Sequence, residues 1–397
     1  MGSDILRLLA KGPHRVTVLN RSEEKARERE KKFLKGLEGS FKRGVISEDI
    51  FLERKEYVKF THRWEDIASS DIVIETVVEN YEEKAAVFHQ LESVVKRDTV
   101  LVTNTSDISI EELAGGLKYQ ERFCGLHFFY PALLIDLIEI IKWGGTPLEL
   151  VDFLKDFCLR FDKKAIVVMD GPGSVMNIIL AYYYLEALYL LEEGLAFPSK
   201  IDELARQFYY LGPCESMDAI GIDFFIAAIG RVLAPGGFLP MHGESSSCFE
   251  LPAMLAGAME GFFVPYLFGK LLSQGRFGKH VSKGIYLYQK GKPVDDVPDL
   301  YINPLRAVPC ENIGDEHIAK RLLYSIFNGS IGSLKRERGS LEELDLGVRE
   351  VLQMQKGPFS MMRAIGEDKL KEDFDLLART AGKRFGQKTF EFLNKMP

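Results

Sequence analysis

For about its first 170 residues the chain alternates short apolar runs with amphipathic stretches, and beyond them its periodicity turns helical. Residues 1–11 space their apolar positions as a helix does and then meet Gly12-Pro13, a stop signal. RVTVLN follows as a β-branched strand. Glu23 to Arg43 predicts a densely charged helix with Phe33, Leu34, Leu37 and Phe41 on one face, a solvated amphipathic helix by default. The residues after it read as a turn region before the strand YVKF. DIVIETVVEN (71–80) predicts a strand with a polar end at Glu79-Asn80, and YEEKAAVFHQLESVV an amphipathic helix. TVLVT, RFCGLHFF, LIEII and KAIVVMD predict four further strands, with ISIEELAGGL as a helix between the first two. Such alternation predicts an α/β, Rossmann-like, doubly wound and mostly parallel sheet, whose ligands lie beyond the carboxyl ends of the strands.

Asp170-Gly171-Pro172-Gly173 cannot continue a strand and marks a domain boundary. SVMNIILAYYYLEALYLLEEG then predicts a long apolar helix, and Leu251–Leu272, interrupted by Pro252, Glu260 and Pro265, a buried helix pair and not a membrane span. The helical half repeats itself: Gly212-Pro213-Cys214 through Gly221 recurs as Gly357-Pro358-Phe359 through Gly366, an offset of 145 residues shared by Gly194 and Gly339. RFGK at 276–279 has a counterpart in RFGQK at 384–388. The expected division is a dinucleotide-type domain over 1–170 followed by an all-α duplicated region, with a first helical, substrate- or dimerisation-type domain over 171–300 and a second helical copy over 301–397, the two copies packing as a pseudo-dimer.

The formal net charge of −7 offers no basic footprint for nucleic acid. Cys124, Cys158, Cys214, Cys248 and Cys310 are scattered, with no paired spacing, which predicts reduced thiols in an intracellular compartment and no zinc site. No cleavable signal peptide is visible, and the final Asn394–Pro397 is not a peroxisomal tripeptide. Peroxisome and cytoplasm both stay open.

Three polar interruptions stand out in the sheet half. The run TVLVT stops at Asn104, Thr105 and Ser106, His127 sits inside RFCGLHFF, and Glu139 inside LIEII. Alone, such a histidine is more often a satisfied core residue, and such a glutamate an edge ion pair. Together they supply a hydroxyl, a base and a carboxylate able to orient that base. Asn177, early in the long helix, reads equally well as a residue bonded to its own backbone.

NTSDISIEELA, RFCGLHFFYP, LIEII, DGPGSVMNIIL and GPCESMDAIGID resemble, in order and spacing, the 3-hydroxyacyl-CoA dehydrogenase family. The two-copy helical half is similar to the dehydrogenase part of multifunctional β-oxidation enzymes. The resemblance implies an NAD-dependent oxidoreductase acting on acyl-CoA substrates, with its site between the sheet domain and the helical half. It casts His127 as the catalytic base, Glu139 as the carboxylate that steadies it, and Ser106 and Asn177 as holders of the substrate oxygen. Glu79, Lys84 and Asn104 fall where the cofactor site is lined, and Gly2 matches the last glycine of the dinucleotide turn. The first strand and the first two glycines of that fingerprint are expected to be missing. Asn20 and Arg21 stand where an acidic residue would meet the ribose, which admits NADP. HFFYP replaces HFFNP at Tyr130, and Ile178 replaces the usual arginine after Asn177. The alternatives are a catalytically impaired relative that binds CoA esters or serves a structural role, and an NADP-dependent hydroxy acid dehydrogenase.

Overall fold

Seven strands carry the first part of the chain: β1 (Val16–Leu19), β2 (Val58–Thr61), β3 (Ile72–Glu75), β4 (Val100–Thr103), β5 (Phe123–Phe128), β6 (Leu137–Lys142) and β7 (Lys164–Met169). Between them run α1 (Gly2–Leu9), α2 (Glu23–Lys42), α3 (Glu48–Tyr57), α4 (Tyr81–Val94), α5 (Ile110–Gly115) and α6 (Leu148–Leu159). The structure, a computed structural model, describes residues 1–12, 14–223, 225, 265–295, 298–303, 313–386 and 390. The chain divides into two units, Met1–Gly171 and Pro172–Pro397.

In the first unit β3-β4-β5-β6-β7 form one five-stranded sheet, while β1 and β2 pair in a separate two-stranded one. All of these pairings are parallel except β5–β6. That exception follows from the brief link 129–136, which is too short for the crossover a parallel neighbour requires. Period-two alternation decides what each strand presents to the two helix layers. Cys124, Leu126 and Phe128 of β5 and Ile138 and Ile140 of β6 join a core with Ile5 and Leu8 of α1 and Leu150, Leu154 and Cys158 of α6. The intervening residues face α4 and α5: Phe123 meets Phe88 edge-on at 4.9 Å. A Cβ on Gly125 would lie 2.9 Å from Ile110, so glycine lets α5 press onto the strand. His127 and Glu139 belong to this second set.

Two sequence readings change here. The turn region after α2 contains α3, capped by Ser47, whose side chain accepts from the Ile50 amide. None of α3 is buried, so no apolar stripe announced it. The strand expected over 71–80 stops at Glu75, and Asn80 instead caps α4 by accepting from the Glu83 amide at 2.8 Å.

The second unit contains α7 (Val175–Glu192), α8 (Pro198–Ala205), α9 (Pro213–Ile220), α10 (Tyr266–Ser273), α11 (Pro298–Tyr301), α12 (Asp315–Lys335), α13 (Leu341–Leu352), α14 (Pro358–Ile365) and α15 (Glu367–Ala381). It is not all-α as expected: β8 (Leu287–Gln289) and β9 (Lys292–Val294) pair antiparallel. Lys290 and Gly291, both at positive φ (51° and 76°), make the two-residue turn that such a hairpin favours. Most of the apolar stretch expected to form a helix pair over 251–272 lies outside the described residues; its end is α10.

α7 is long and apolar enough to cross a membrane, but 89% of that stretch is buried in the packed unit. It lies against α12, where Gly329 admits close approach: a Cβ there would sit 3.0 Å from the Ile179 Cα. Glu186 of α7 and Glu193, which caps its C-terminus, bind two arginines. Glu186 accepts from Arg321 Nε of α12 at 2.5 Å and from Arg384 Nε at 2.7 Å. Glu193 accepts from Arg321 and, at 3.0 Å, from Arg384. All four side chains are buried.

The described helices also echo one another. α9 and α14 each span eight residues, begin Gly-Pro and end at a glycine with positive φ, Gly221 at 106° and Gly366 at 88°. An aspartate from the preceding helix takes the first amides of each. Asp202 accepts from Cys214 and Glu215 at 2.8 and 3.0 Å, and Asp345 from Phe359 and Ser360 at 2.7 and 3.2 Å.

Candidate active site

The antiparallel register sets His127 directly across from Glu139. Opposed residues share a sheet face, so imidazole and carboxylate meet without any loop adjustment. His127 Nδ1 lies 2.7 Å from Glu139 Oε2, with the histidine 5% exposed and the glutamate fully buried. A carboxylate can only accept, so Nδ1 carries the hydrogen and Nε2 keeps the lone pair in the neutral ring. The ring of Phe129 stands edge-on to the imidazole at 4.7 Å and restricts its tilt. This is the geometry of an oriented general base.

The end of β4 converges on the same place. Asn104 Oδ1 accepts from the Phe128 amide at 2.9 Å, tying the two strand ends together one residue from the histidine. Ser106, half-buried, follows two residues later. Its amide donates to Glu79 Oε1 at 3.1 Å, the Asp107 amide donates to the same oxygen at 3.2 Å, and the Thr105 hydroxyl also donates to it. Glu79 therefore acts first on the serine loop. Lys84 is 1% exposed, with its ammonium on Glu75 at 2.9 Å and Glu79 at 3.3 Å, so it is a strut beneath the site and not an open wall of it. On the far side of the loop, Asp170 at the end of β7 accepts from Ser109 Oγ at 2.8 Å and the Glu111 amide at 2.9 Å, fixing the start of α5.

Sequence reasoning passed over Glu75 and Thr103. Glu75 is 4% exposed and accepts from Thr103 Oγ1 at 2.7 Å. The signal was there: a carboxylate closing the apolar run IVIE, with Lys84 in the following helix. Cys124, also on β5, is no nucleophile at neutral pH, because burial pushes its thiol up to about 12.

The remaining expected residues make their contacts elsewhere in the first unit, or lie in the other unit. Asn20 ends β1, with its amide nitrogen donating to Val18 O at 3.0 Å. Arg21, exposed, pairs with Glu83 at 3.2 Å. Gly2 opens α1, and a Cβ on it would lie 2.7 Å from Thr76 Oγ1, so the helix start lies close against the residue after β3. Arg29 of α2 donates to Ser3 Oγ at 2.9 Å, adding a cation at that helix start. The amides of a helix start, a glycine approach and a guanidinium together suit a phosphate anion. Asn177 lies in the first turn of α7, half-buried, with its amide on Ser174 Oγ at 3.4 Å. Tyr130 is 70% exposed.

Comparison with known proteins gives a consistent result. The family model described as "3-hydroxyacyl-CoA dehydrogenase, NAD binding domain" matches residues 1–171, and "3-hydroxyacyl-CoA dehydrogenase, C-terminal domain" matches 173–288. The chain is 29% identical over 341 residues to a fatty acid oxidation complex subunit alpha of Idiomarina loihiensis, covering 84% of this chain and 45% of that protein. It thus spans less than half of that relative's length. A probable 3-hydroxyacyl-CoA dehydrogenase of Caenorhabditis elegans is 32% identical over 226 residues, 56% of this chain and 69% of the relative. In fold, the chain is similar to the 3-hydroxybutyryl-CoA dehydrogenase of Escherichia coli K12, with TM-score 0.80 and 22% identity over 100% of this chain and 95% of that one.

Proposed function

Because the chain belongs to the 3-hydroxyacyl-CoA dehydrogenase family, we propose that it interconverts (S)-3-hydroxyacyl-CoA and 3-ketoacyl-CoA with NAD, a step of fatty acid β-oxidation. The observation that carries the proposal is the buried His127–Glu139 pair. His127 Nε2 takes the proton of the substrate's 3-hydroxyl in oxidation and returns it in reduction. Glu139 stabilises the imidazolium that forms and prevents the ring from flipping. Ser106 and Asn177 donate to the substrate oxygen, as the resemblance implies. When bound, NAD supplies the acceptor for the hydrogen on the carbinol carbon. Gly2, Ser3 and Arg29 would hold its pyrophosphate, Asn20 a ribose, and Glu79, Lys84 and Asn104 the floor beneath the nicotinamide end.

The decisive assay follows NADH absorbance with acetoacetyl-CoA and longer 3-ketoacyl-CoA substrates. Saturable turnover is expected; nucleotide binding without turnover on any of them would leave a CoA-ester-binding role. In the same assay Glu139→Gln is expected to lower kcat by about 10–100-fold, the size of loss seen when the carboxylate partner of a metal-bound histidine is removed, with little change in KM. An unchanged kcat would remove Glu139 from the mechanism.

NADP is the second cofactor to consider, because Asn20 brings no charge to repel a 2′-phosphate. Against it, Arg21 is already paired with Glu83. Glu83→Ala is expected to lower the KM for NADPH a few-fold at low salt and leave that for NADH unchanged, in keeping with a surface ion pair worth about 0–1 kcal/mol. No change for NADPH would discard Arg21 as a 2′-phosphate contact.

Two architectural readings accompany the proposal. A further strand between β1 and β3 would join the two-stranded and five-stranded sheets; the separate pairing of β1 with β2 supports this. The helical unit is read as two copies of one motif packed as a pseudo-dimer, supported by the matched capping of α9 and α14 and the α7–α12 contact. The buried free thiols Cys124, Cys158 and Cys214 suit a reducing compartment, cytoplasm or peroxisome.

A further inference from the structure

We propose that Glu75 and Thr103 are positioning residues for Ser106, acting through a closed ring of hydrogen bonds among Glu75, Lys84, Thr103, Thr105 and the half-buried Glu79; this rests on the reading of Ser106 given above. The ring can be followed bond by bond. Lys84 Nζ donates to both oxygens of Glu75, at 3.0 and 2.9 Å. Glu75 Oε2 accepts from Thr103 Oγ1 at 2.7 Å, and that hydroxyl accepts from the Thr105 amide at 3.3 Å. The Thr105 hydroxyl donates to Glu79, whose other oxygen returns to Lys84 at 3.3 Å. Glu75, Lys84, Thr103 and Thr105 are all buried.

Glu79 reaches out of the ring to the serine, with the oxygen that receives the amides of Ser106 and Asp107, and the Thr105 hydroxyl accepts from the Ile108 amide at 3.0 Å. Ser106 therefore takes its position from a carboxylate that is itself held by the Thr105 hydroxyl and the Lys84 ammonium. A buried ion pair is commonly no more stabilising than apolar residues of the same volume, so stability alone gives little reason for Lys84 and Glu75 to lie beneath this loop. A networked pair does fix geometry, because each member has one place where all its partners are met. Glu75 ends β3 and Thr103 ends β4, in register with each other. The ring thus converts the parallel ladder into a fixed location for a hydroxyl beyond the strand ends.

Thr103→Val opens the ring at one point while keeping every charge and nearly the same volume. It is expected to lower kcat about tenfold, the size of one or two lost buried hydrogen bonds, with the KM for acetoacetyl-CoA changing less. In a Ser106→Ala background the same substitution should cause no further loss. Amide exchange supplies a readout independent of turnover: the amides of residues 105–107 should exchange at least tenfold faster in Thr103→Val, with those of β5 unchanged. Glu75→Gln should give the larger version of the same pattern wherever it folds. Losses that multiply in the Ser106→Ala background, or unaltered exchange at 105–107, would overturn the proposal. Equal turnover of Ser106→Ala and wild type would instead remove Ser106 from the reaction, and the exchange result would still decide the ring.

Discussion

His127→Gln is expected to lower kcat about 10³-fold, within the 10²–10⁴-fold range of a positioned general base. Glutamine keeps much of the side chain's bulk on β5 and can still meet Glu139, so the hairpin should fold as before. What it lacks is a group able to accept the hydroxyl proton at neutral pH and give it back. CoA-ester binding, measured by calorimetry, should stay within a few-fold of wild type, because the imidazole holds one oxygen of a large ligand. Reduction should suffer as much as oxidation, since one group serves both directions. Turnover equal to wild type would end the assignment of His127, and with it the mechanism.

Glu186→Gln is expected to destabilise the helical unit by about 3–5 kcal/mol, the usual cost of removing one partner from a buried ion pair. Arg321 and Arg384 would then share one remaining carboxylate, Glu193, in a site with almost no water to screen them. Arg384 also lies over the Tyr189 ring at 4.5 Å, a contact that cannot replace a charge. Denaturant unfolding should show the loss as a lower midpoint at similar slope. Replacing the whole group together, Glu186 and Glu193 with Gln and the two arginines with Met, should recover most of the loss. A shift under about 1 kcal/mol for the single change would mean water reaches the cluster.

Much of this was legible in residue order, and the failures share a cause. RFCGLHF declared itself because β5 is buried at every position, and KAIVVM through its aliphatic run Ala165–Met169. The α3 helix did not, because none of its residues is buried and tertiary packing therefore leaves no periodicity in it. The turn Lys290-Gly291 was readable as a hairpin signal but sat inside a region already assigned to helices. In the candidate site, His127 and Glu139 were visible as polar residues in apolar strands. Their direct opposition was not, because it depends on β5 and β6 running in opposite directions. Glu75 was masked by its neighbour in the motif, Glu79, since a strand extended to residue 80 hides which acid ends it.

The β5–β6 hairpin has an entropic consequence. His127 and Glu139 are only 12 residues apart, so their meeting needs a small loop to close, whereas the β3–β4 ladder joins residues separated by the whole of α4. The imidazole–carboxylate contact thus closes the smaller loop and costs less chain entropy to form than the β3–β4 ladder does.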